Sequence, residues 1–290
     1  MIYKNILVPL DGSELAERVV PAAVSLAEAM AGSVTLLTVV AKKPGADVNL
    51  VAKAIQTGQF EADLYLRSVR KRFLPSLVGI ETAVVTGKPD KAIIEYAREH
   101  AIDLIIMSTH GRSGITRWSF GRTADKVLRR SPCPTVILRS EHVIKPDQFK
   151  RILLPLDGSR LAERVLEPAM EMVKAIGVEL FLLQVVEKGS FYGFGHDEAH
   201  VDEEVDAAIT YLAELRERAI PPEVTVHTHA AVGSAADVIV DYAAEQAIDL
   251  ILVSSRGNSG FDSWMFGSVA EKVMKGAPCA ILVIRQEPFV

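Results

Sequence analysis

Residues 6–19 read ILVPLDGSELAERV, and residues 152–165 read ILLPLDGSRLAERV. Each stretch opens on an uninterrupted apolar run, which predicts a strand buried on both faces. Asp-Gly-Ser then ends the run, and its serine is suited to cap a helix. Leu15 and Val19 follow at helical spacing, as do Leu161 and Val165. A strand that passes straight into a helix is the opening of a βα unit. Asp11 of the first stretch corresponds to Asp157 of the second, an offset of 146 residues. The same offset carries LLTVV at 36–40 onto LLQVV at 182–186, and AIDLIIMSTHGRSG at 101–114 onto AIDLILVSSRGNSG at 247–260. It also carries Trp118 and Phe120 onto Trp264 and Phe266, and Pro132-Cys133 onto Pro278-Cys279. The chain is therefore one domain of roughly 140 residues present twice. The join falls near 140–150, where SEHVIKPDQFK breaks the apolar pattern, so the domains are placed at 1–142 and 149–290.

Within one half the pattern alternates. Strands are predicted over 6–10, 34–40, 80–85, 104–108 and 135–138. Helices are predicted after Ser13, over 48–74, over 89–100 and over 123–130. Pro21 should split the first helix, and Gly32 should end it. Strand alternating with helix implies a parallel sheet with helices on both faces, and right-handed crossovers leave few topologies.

Composition narrows the class. Of 290 residues, 49% are apolar and 24% charged, enough for two cores and unlike a disordered chain. The net charge of −5 speaks against phosphate neutralisation on a nucleic acid. No apolar run approaches the ~20 residues that span a bilayer, and the first residues do not read as a signal peptide. Two cysteines exclude a disulfide scaffold and a Cys-only zinc site, and each reads as a small buried residue at a strand start. A cytoplasmic protein bound neither to membrane nor to nucleic acid is expected.

In open α/β sheets, ligands bind beyond the carboxyl ends of the strands, where the strand order reverses. The residues there are Asp11-Gly12-Ser13 and 108–114 in the first half, with Asp157-Gly158-Ser159 and 254–260 in the second. Gly121-Arg122-Thr123 and Gly267-Ser268-Val269 follow, each opening a helix. Small and hydroxyl residues before a helix N-terminus suit an anion, and a carboxylate across the cleft suits a ribose hydroxyl. Two readings stand: a nucleotide-type ligand, or ordinary tight turns with helix caps.

VPLDGS, LLTVV, STHGRSG with the following FG, and SPCP before the last strand together resemble the universal stress protein family, over residues 3–139 and again over 149–285. The resemblance implies two tandem open five-stranded parallel α/β sheets of the adenine-nucleotide α-hydrolase-like group, related by a pseudo-twofold axis. Strands 135–139 and 281–285 are then candidates to meet across it. A subset of the family binds ATP through G-x-x-G, nine residues, and a glycine followed by Ser or Thr. Here the halves read Ser108-x-x-Gly111 with Gly121-Arg122, and Ser254-x-x-Gly257 with Gly267-Ser268. Serine replaces the first glycine in both, and the second half matches better. By the same resemblance Asp11 or Asp157 meets the ribose, and Val39 or Val185 the adenine. The candidate nucleotide-binding residues are Pro9, Asp11, Val39, Ser108, His110, Gly111, Gly121 and Thr123 in the first half. In the second they are Pro155, Asp157, Val185, Ser254, Arg256, Gly257, Gly267, Ser268 and Val269.

Other groups have two readings each. His110 contacts phosphate or braces its loop. Arg122 donates to phosphates or blocks the pocket. His227 and His229 share a strand face, as metal ligands or as exposed polar residues. FYGFGHDEAH, with Asp202 and Glu203 beyond it, is a metal-binding patch or a solvated loop. The sequence has no P-loop lysine, no dinucleotide fingerprint after the first strand and no evident nucleophile–base pair. Asp157 is expected as the only carboxylate near the second site, and no resident metal site is expected. The expectation is an ATP-binding regulator without rapid turnover, with Mg²⁺ or Mn²⁺ travelling on the phosphates, an unidentified protein client, and homodimer formation. The alternatives are a family member that binds no nucleotide and acts through protein contacts, and a slow ATPase.

Overall fold

The computed structural model describes residues 3–41, 48–73, 76–109, 121–138, 149–187, 198–254 and 266–284, with side chains outside that description at 48–54 and 198–200. The chain divides into two compact units, Met1–Gln148 and Phe149–Val290. In the first unit the order is β1 (Asn5–Pro9), α1 (Glu14–Glu17), α2 (Val20–Ala29), β2 (Ser33–Val40) and α3 (Val48–Arg72). It continues with β3 (Gly79–Thr86), α4 (Pro89–Glu99), β4 (Leu104–Ser108), α5 (Arg122–Arg130) and β5 (Thr135–Leu138). The second unit repeats the order as β6 (Arg151–Leu156), α6 (Arg160–Glu163), α7 (Leu166–Ile176), β7 (Glu179–Val186) and α8 (Glu198–Ala219). It ends with β8 (Val226–Val232), α9 (Ala235–Glu245), β9 (Leu250–Ser254), α10 (Ser268–Gly276) and β10 (Ala280–Ile284).

Within the first unit the strands lie in the order β3-β2-β1-β4-β5, and every pairing is parallel. Within the second the order is β8-β7-β6-β9-β10, again parallel throughout. This is the doubly wound α/β architecture that the alternating pattern predicts. Its central strands are apolar without alternation because helices cover both faces; all five residues of β4 are buried, whereas the edge strands β3 and β8 keep exposed polar positions. On one face of the first sheet, Leu7, Leu37, Ile105 and Met107 pack against Ile93 and Ala97 of α4 and Ala124 and Val127 of α5. Among the described residues, no helix is long and apolar enough to cross a membrane.

The edge of each sheet where the strands begin is tied by one carboxylate. Asp103 Oδ2 accepts from the backbone N–H groups of Lys4 (3.1 Å) and Asn5 (3.0 Å). Asp249 Oδ2 accepts likewise from Lys150 (2.9 Å) and Arg151 (3.0 Å). Ionised acceptors make these stronger than neutral hydrogen bonds, and they align β1 with β4 and β6 with β9. A second restraint is also repeated: Arg72 bonds to Glu17, and Arg218 to Glu163, pinning α3 to α1 and α8 to α6. Both cysteines are buried, and burial pushes the Cys133 thiol up to about 11 and that of Cys279 to about 12, so both stay protonated and unreactive.

Pro21 splits the first helix as expected, standing in the first turn of α2 where its missing N–H costs no hydrogen bond. The end of α2 differs from the expectation. The left-handed residue is Ala31 (φ 49°), and Gly32 follows it, donating its N–H to Ala27 O at 2.8 Å. Gly32 is glycine for another reason: a Cβ there would sit 2.4 Å from the Lys4 carbonyl oxygen, where the chain enters β2 beside β1. In the second unit the left-handed position is Gly177 (φ 68°), and Val178 follows without that conflict. A left-handed conformation costs a non-glycine residue roughly 1–2 kcal/mol. Ala31→Gly should therefore stabilise the first unit by about 0.5–1 kcal/mol after the added freedom of the unfolded chain is subtracted. Denaturant unfolding of the full chain, compared with the unchanged protein, measures this, and a loss of stability would contradict it.

Candidate functional site

The site begins where strand pairing stops. Leu10 donates its N–H to Leu37 O of β2 at 2.7 Å. Successive residues of a parallel strand bond to opposite neighbours, so Pro9 is turned toward β4 and has no N–H to give. The β1–β4 ladder accordingly ends at Leu7 and Ile105, and β6–β9 ends at Leu153 and Ile251, ahead of Pro155. Beyond these points the two central strands part. This is also where the strand order reverses, and a cavity opens there in each unit.

The second unit has a cavity of about 460 Å³, lined by Pro155, Asp157, Val185, Ser254, Gly267, Ser268 and Val269 among others. Of the nine residues expected in this half, the structure brings these seven together; Arg256 and Gly257 lie outside the described residues. The volume falls in the range usual for small-molecule sites. Asp157 is held by its own turn. Its Oδ1 accepts from Ser159 N–H (3.0 Å) and from Ser159 Oγ (2.6 Å), while Ser159 Oγ accepts from Ala162 N–H and caps α6. The serine thus fixes the carboxylate and starts the helix at once. Across the cavity, Gly267 is the N-cap of α10 and supplies no side-chain cap. Its φ of −59° does not demand glycine, and among the described residues a Cβ there would meet nothing within 4 Å. The first-turn N–H groups of α10 face the cavity, and that end of it favours negative charge.

The first unit has a cavity of about 330 Å³, lined by Pro9, Asp11, Val39, Ser108, Gly121 and Thr123 of the expected set. His110 and Gly111 lie outside the described residues. Asp11 and Ser13 repeat the carboxylate–serine turn at the same distances, 3.0 and 2.6 Å. Gly121 donates its N–H to Thr109 O at 2.8 Å, which fastens the start of α5 to the end of β4. Arg122 lines the cavity where the second unit has Ser268.

Beneath each turn is a tyrosine, Tyr65 or Tyr211, whose hydroxyl is shut off from solvent. Burial raises both phenols, and Glu17 and Asp11, or Glu163 and Asp157, raise them further, so both remain neutral.

One feature departs from the sequence expectations. Asp157 is not the only carboxylate at the second site: Glu187, one residue past β7, also lines the cavity. It belongs to no motif, and only the packing of β7 against α9 brings it there. Its Oε1 accepts from Ala235 N–H at 3.3 Å, at the start of α9. His227 and His229 share a face of β8 and are exposed there, the second of the two readings, and their rings also find partners. His227 stacks on Phe181 and bonds to Glu179 (3.2 Å), and His229 stacks on Tyr242 of α9. Among the described residues, no three His, Cys, Asp or Glu side chains gather as metal ligands. Of FYGFGHDEAH, residues 191–197 lie outside the described residues.

The chain matches the model of the universal stress protein family twice, over residues 2–139 and 148–285. A universal stress protein of Mycobacterium bovis is 26% identical over 217 residues, covering 72% of this chain and 70% of the relative. Universal stress protein YxiE of Bacillus subtilis is 31% identical over 147 residues, which is 47% of this chain and 99% of that protein. The crystal structure of a universal stress protein from Archaeoglobus fulgidus superposes with a TM-score of 0.74 at 22% identity, covering 99% of this chain and 100% of that one, a likeness of fold. The double match covers nearly the whole chain, and the chain belongs to the universal stress protein family as a member that carries the family's domain twice.

Proposed function

We propose that the clefts bind an adenine nucleotide, above all ATP, and that the protein acts as a nucleotide-dependent regulator without rapid turnover. One observation carries the reading. A single cavity joins a fixed carboxylate, Asp157, an apolar strand end at Val185 and an open helix N-terminus at Gly267–Val269. Those groups are complementary to a ribose hydroxyl, a base and a phosphate chain, in that order. That no described residue comes within 4 Å of a Cβ built on Gly267 supports the fit. Mg²⁺ or Mn²⁺ would arrive on the phosphates rather than in a protein cage.

The two clefts differ at the phosphate end. Ser268 adds a hydroxyl beside the N–H groups of α10, whereas Arg122 puts a long side chain into the smaller cavity. The second cleft should hold nucleotide at higher occupancy. A Val side chain at position 267 projects into space that no other described residue fills. In calorimetric titration with ATP, Gly267→Val should weaken the tighter site by roughly tenfold or more, and Gly121→Val should leave it intact. Loss of the tighter site only in Gly121→Val would reverse the assignment, and purified protein that releases no nucleotide on heating and, while folded, takes none up would refute the reading.

Binding ground state and transition state equally well gives affinity without rate. Fast phosphoryl transfer also needs a positioned water or hydroxyl and charge aimed at the γ-phosphate. Asp157 is engaged by Ser159 and is assigned to the ribose. Phosphate release with Mg²⁺ or Mn²⁺ should fall far below the ~1–100 s⁻¹ of kinases. Turnover in that range, abolished by Asp157→Ala, would make the protein an enzyme.

A further inference from the structure

Across the second unit, three strand ends follow in the order β9, β6, β7. The N-terminus of α10 comes after β9, Asp157 after β6 and Glu187 after β7. Neighbouring strands are separated by about 4.8 Å, so the ends of β9 and β7 stand roughly 10 Å apart along the sheet edge. A ligand whose phosphates face the helix and whose ribose meets Asp157 extends its base toward the end of β7. There the wall is apolar at Leu183 and Val185, and ends in the Glu187 carboxylate.

We infer that Glu187 is the specificity-determining residue for the base in the second cleft, accepting a hydrogen bond from the exocyclic amino group of adenine. The inference rests on the nucleotide reading of this cleft. A carboxylate is acceptor-only and has four lone-pair sites. The bond to Ala235 N–H uses one of them, which leaves the group able to receive a donor from the cavity. A base with an amino group at this edge gains a charge-assisted hydrogen bond. A base without one leaves the carboxylate facing a C–H edge. In the first unit the equivalent position is Ala41, which has no polar side chain. The two clefts of one chain therefore differ in base selectivity, and the first serves as a built-in control.

The test uses the full chain carrying Gly121→Val, so that the second cleft is read alone. ATP is titrated against purine riboside triphosphate, which differs only in lacking the amino group. ATP should bind about tenfold tighter, the usual scale of a hydrogen bond to a charged group. Glu187→Ala should bring the ratio close to one by weakening ATP alone. Glu187→Gln keeps an acceptor without the charge and should leave about a threefold preference. In the Gly267→Val chain, where only the first cleft binds, the ratio should already be near one. If Glu187→Ala lowers thermal stability but keeps the full preference for ATP, the residue only caps α9 and the inference is overturned. If the Gly121→Val chain binds neither triphosphate, the nucleotide reading of the second cleft falls with it, a result distinct from binding without discrimination.

Discussion

A sheet whose strands all run the same way must be covered on both faces. It also presents every strand's carboxyl end at a single edge. In each unit the chain lays down three strands in one direction from the centre, then crosses to the other side to add two more. The connections on either side of that reversal move apart, so among the described residues a cavity stays open beyond the ends of β1 and β4, and beyond those of β6 and β9. Pro9 and Pro155 widen it by withdrawing a donor where the ladder would otherwise continue. The cavity is thus a consequence of topology. Sequence decides only what lines it.

The two halves show which restraints the fold requires. Asp103 and Asp249 make the same pair of backbone hydrogen bonds. Ser13 and Ser159 make the same cap and hold the same carboxylate. Glu17–Arg72 and Glu163–Arg218 close the same helix contact. That exposed pair contributes little by itself, so its repetition reflects placement of helices more than stability. Of the sixteen described residues lining the second cavity, eleven are identical at the equivalent positions of the first unit; the departures are Glu187 against Ala41, Ala235 against Pro89, Val253 against Met107, Ser268 against Arg122 and Val269 against Thr123. Most of the lining is thus as constant as the turns, and these few positions are what distinguish one cavity from the other.

Most of the scaffold was legible because its signals are local. Uninterrupted apolar runs mark the buried strands, and their bounds agree with the structure to within a residue or two. A repeat that never slips register fixes the domain plan. Thirteen residues read from the loops and strand ends line the cavities as expected; the other four are outside the described residues. Glu187 was not legible, because no local pattern tells a carboxylate after a strand that faces a cavity from one that faces water. Ala31 was missed because glycine is the default left-handed residue and one stood next door. The Lys4 carbonyl claims Gly32 for a steric reason, leaving Ala31 to make the turn. For His227 and His229 the alternation was visible, but their ring partners lie on β7 and α9, far away in sequence.

Charge along each cavity has a direction. In both units a helix N-terminus supplies partial positive charge at one end and an aspartate stands near the middle. The first unit strengthens the positive end with Arg122; the second leaves that end to backbone and hydroxyl and puts a carboxylate, Glu187, at the far end. Either change makes the two ends less alike. For an elongated ligand with an anionic tail and a neutral, hydrogen-bonding head, reversal would set the anion against a carboxylate in the second unit and withdraw it from a guanidinium in the first. Both penalties grow as water is expelled, because like-charge repulsion and lost attraction strengthen as the effective dielectric falls. With such a ligand, the two halves would favour one orientation by opposite means, one by attraction at the tail and the other by exclusion at the head. Attraction at the tail accepts any anion that fits, whereas a carboxylate at the head also tests what the head can donate. On the proposed reading, divergence at two positions would be enough to turn a duplicated site into a permissive one and a selective one on an unchanged fold.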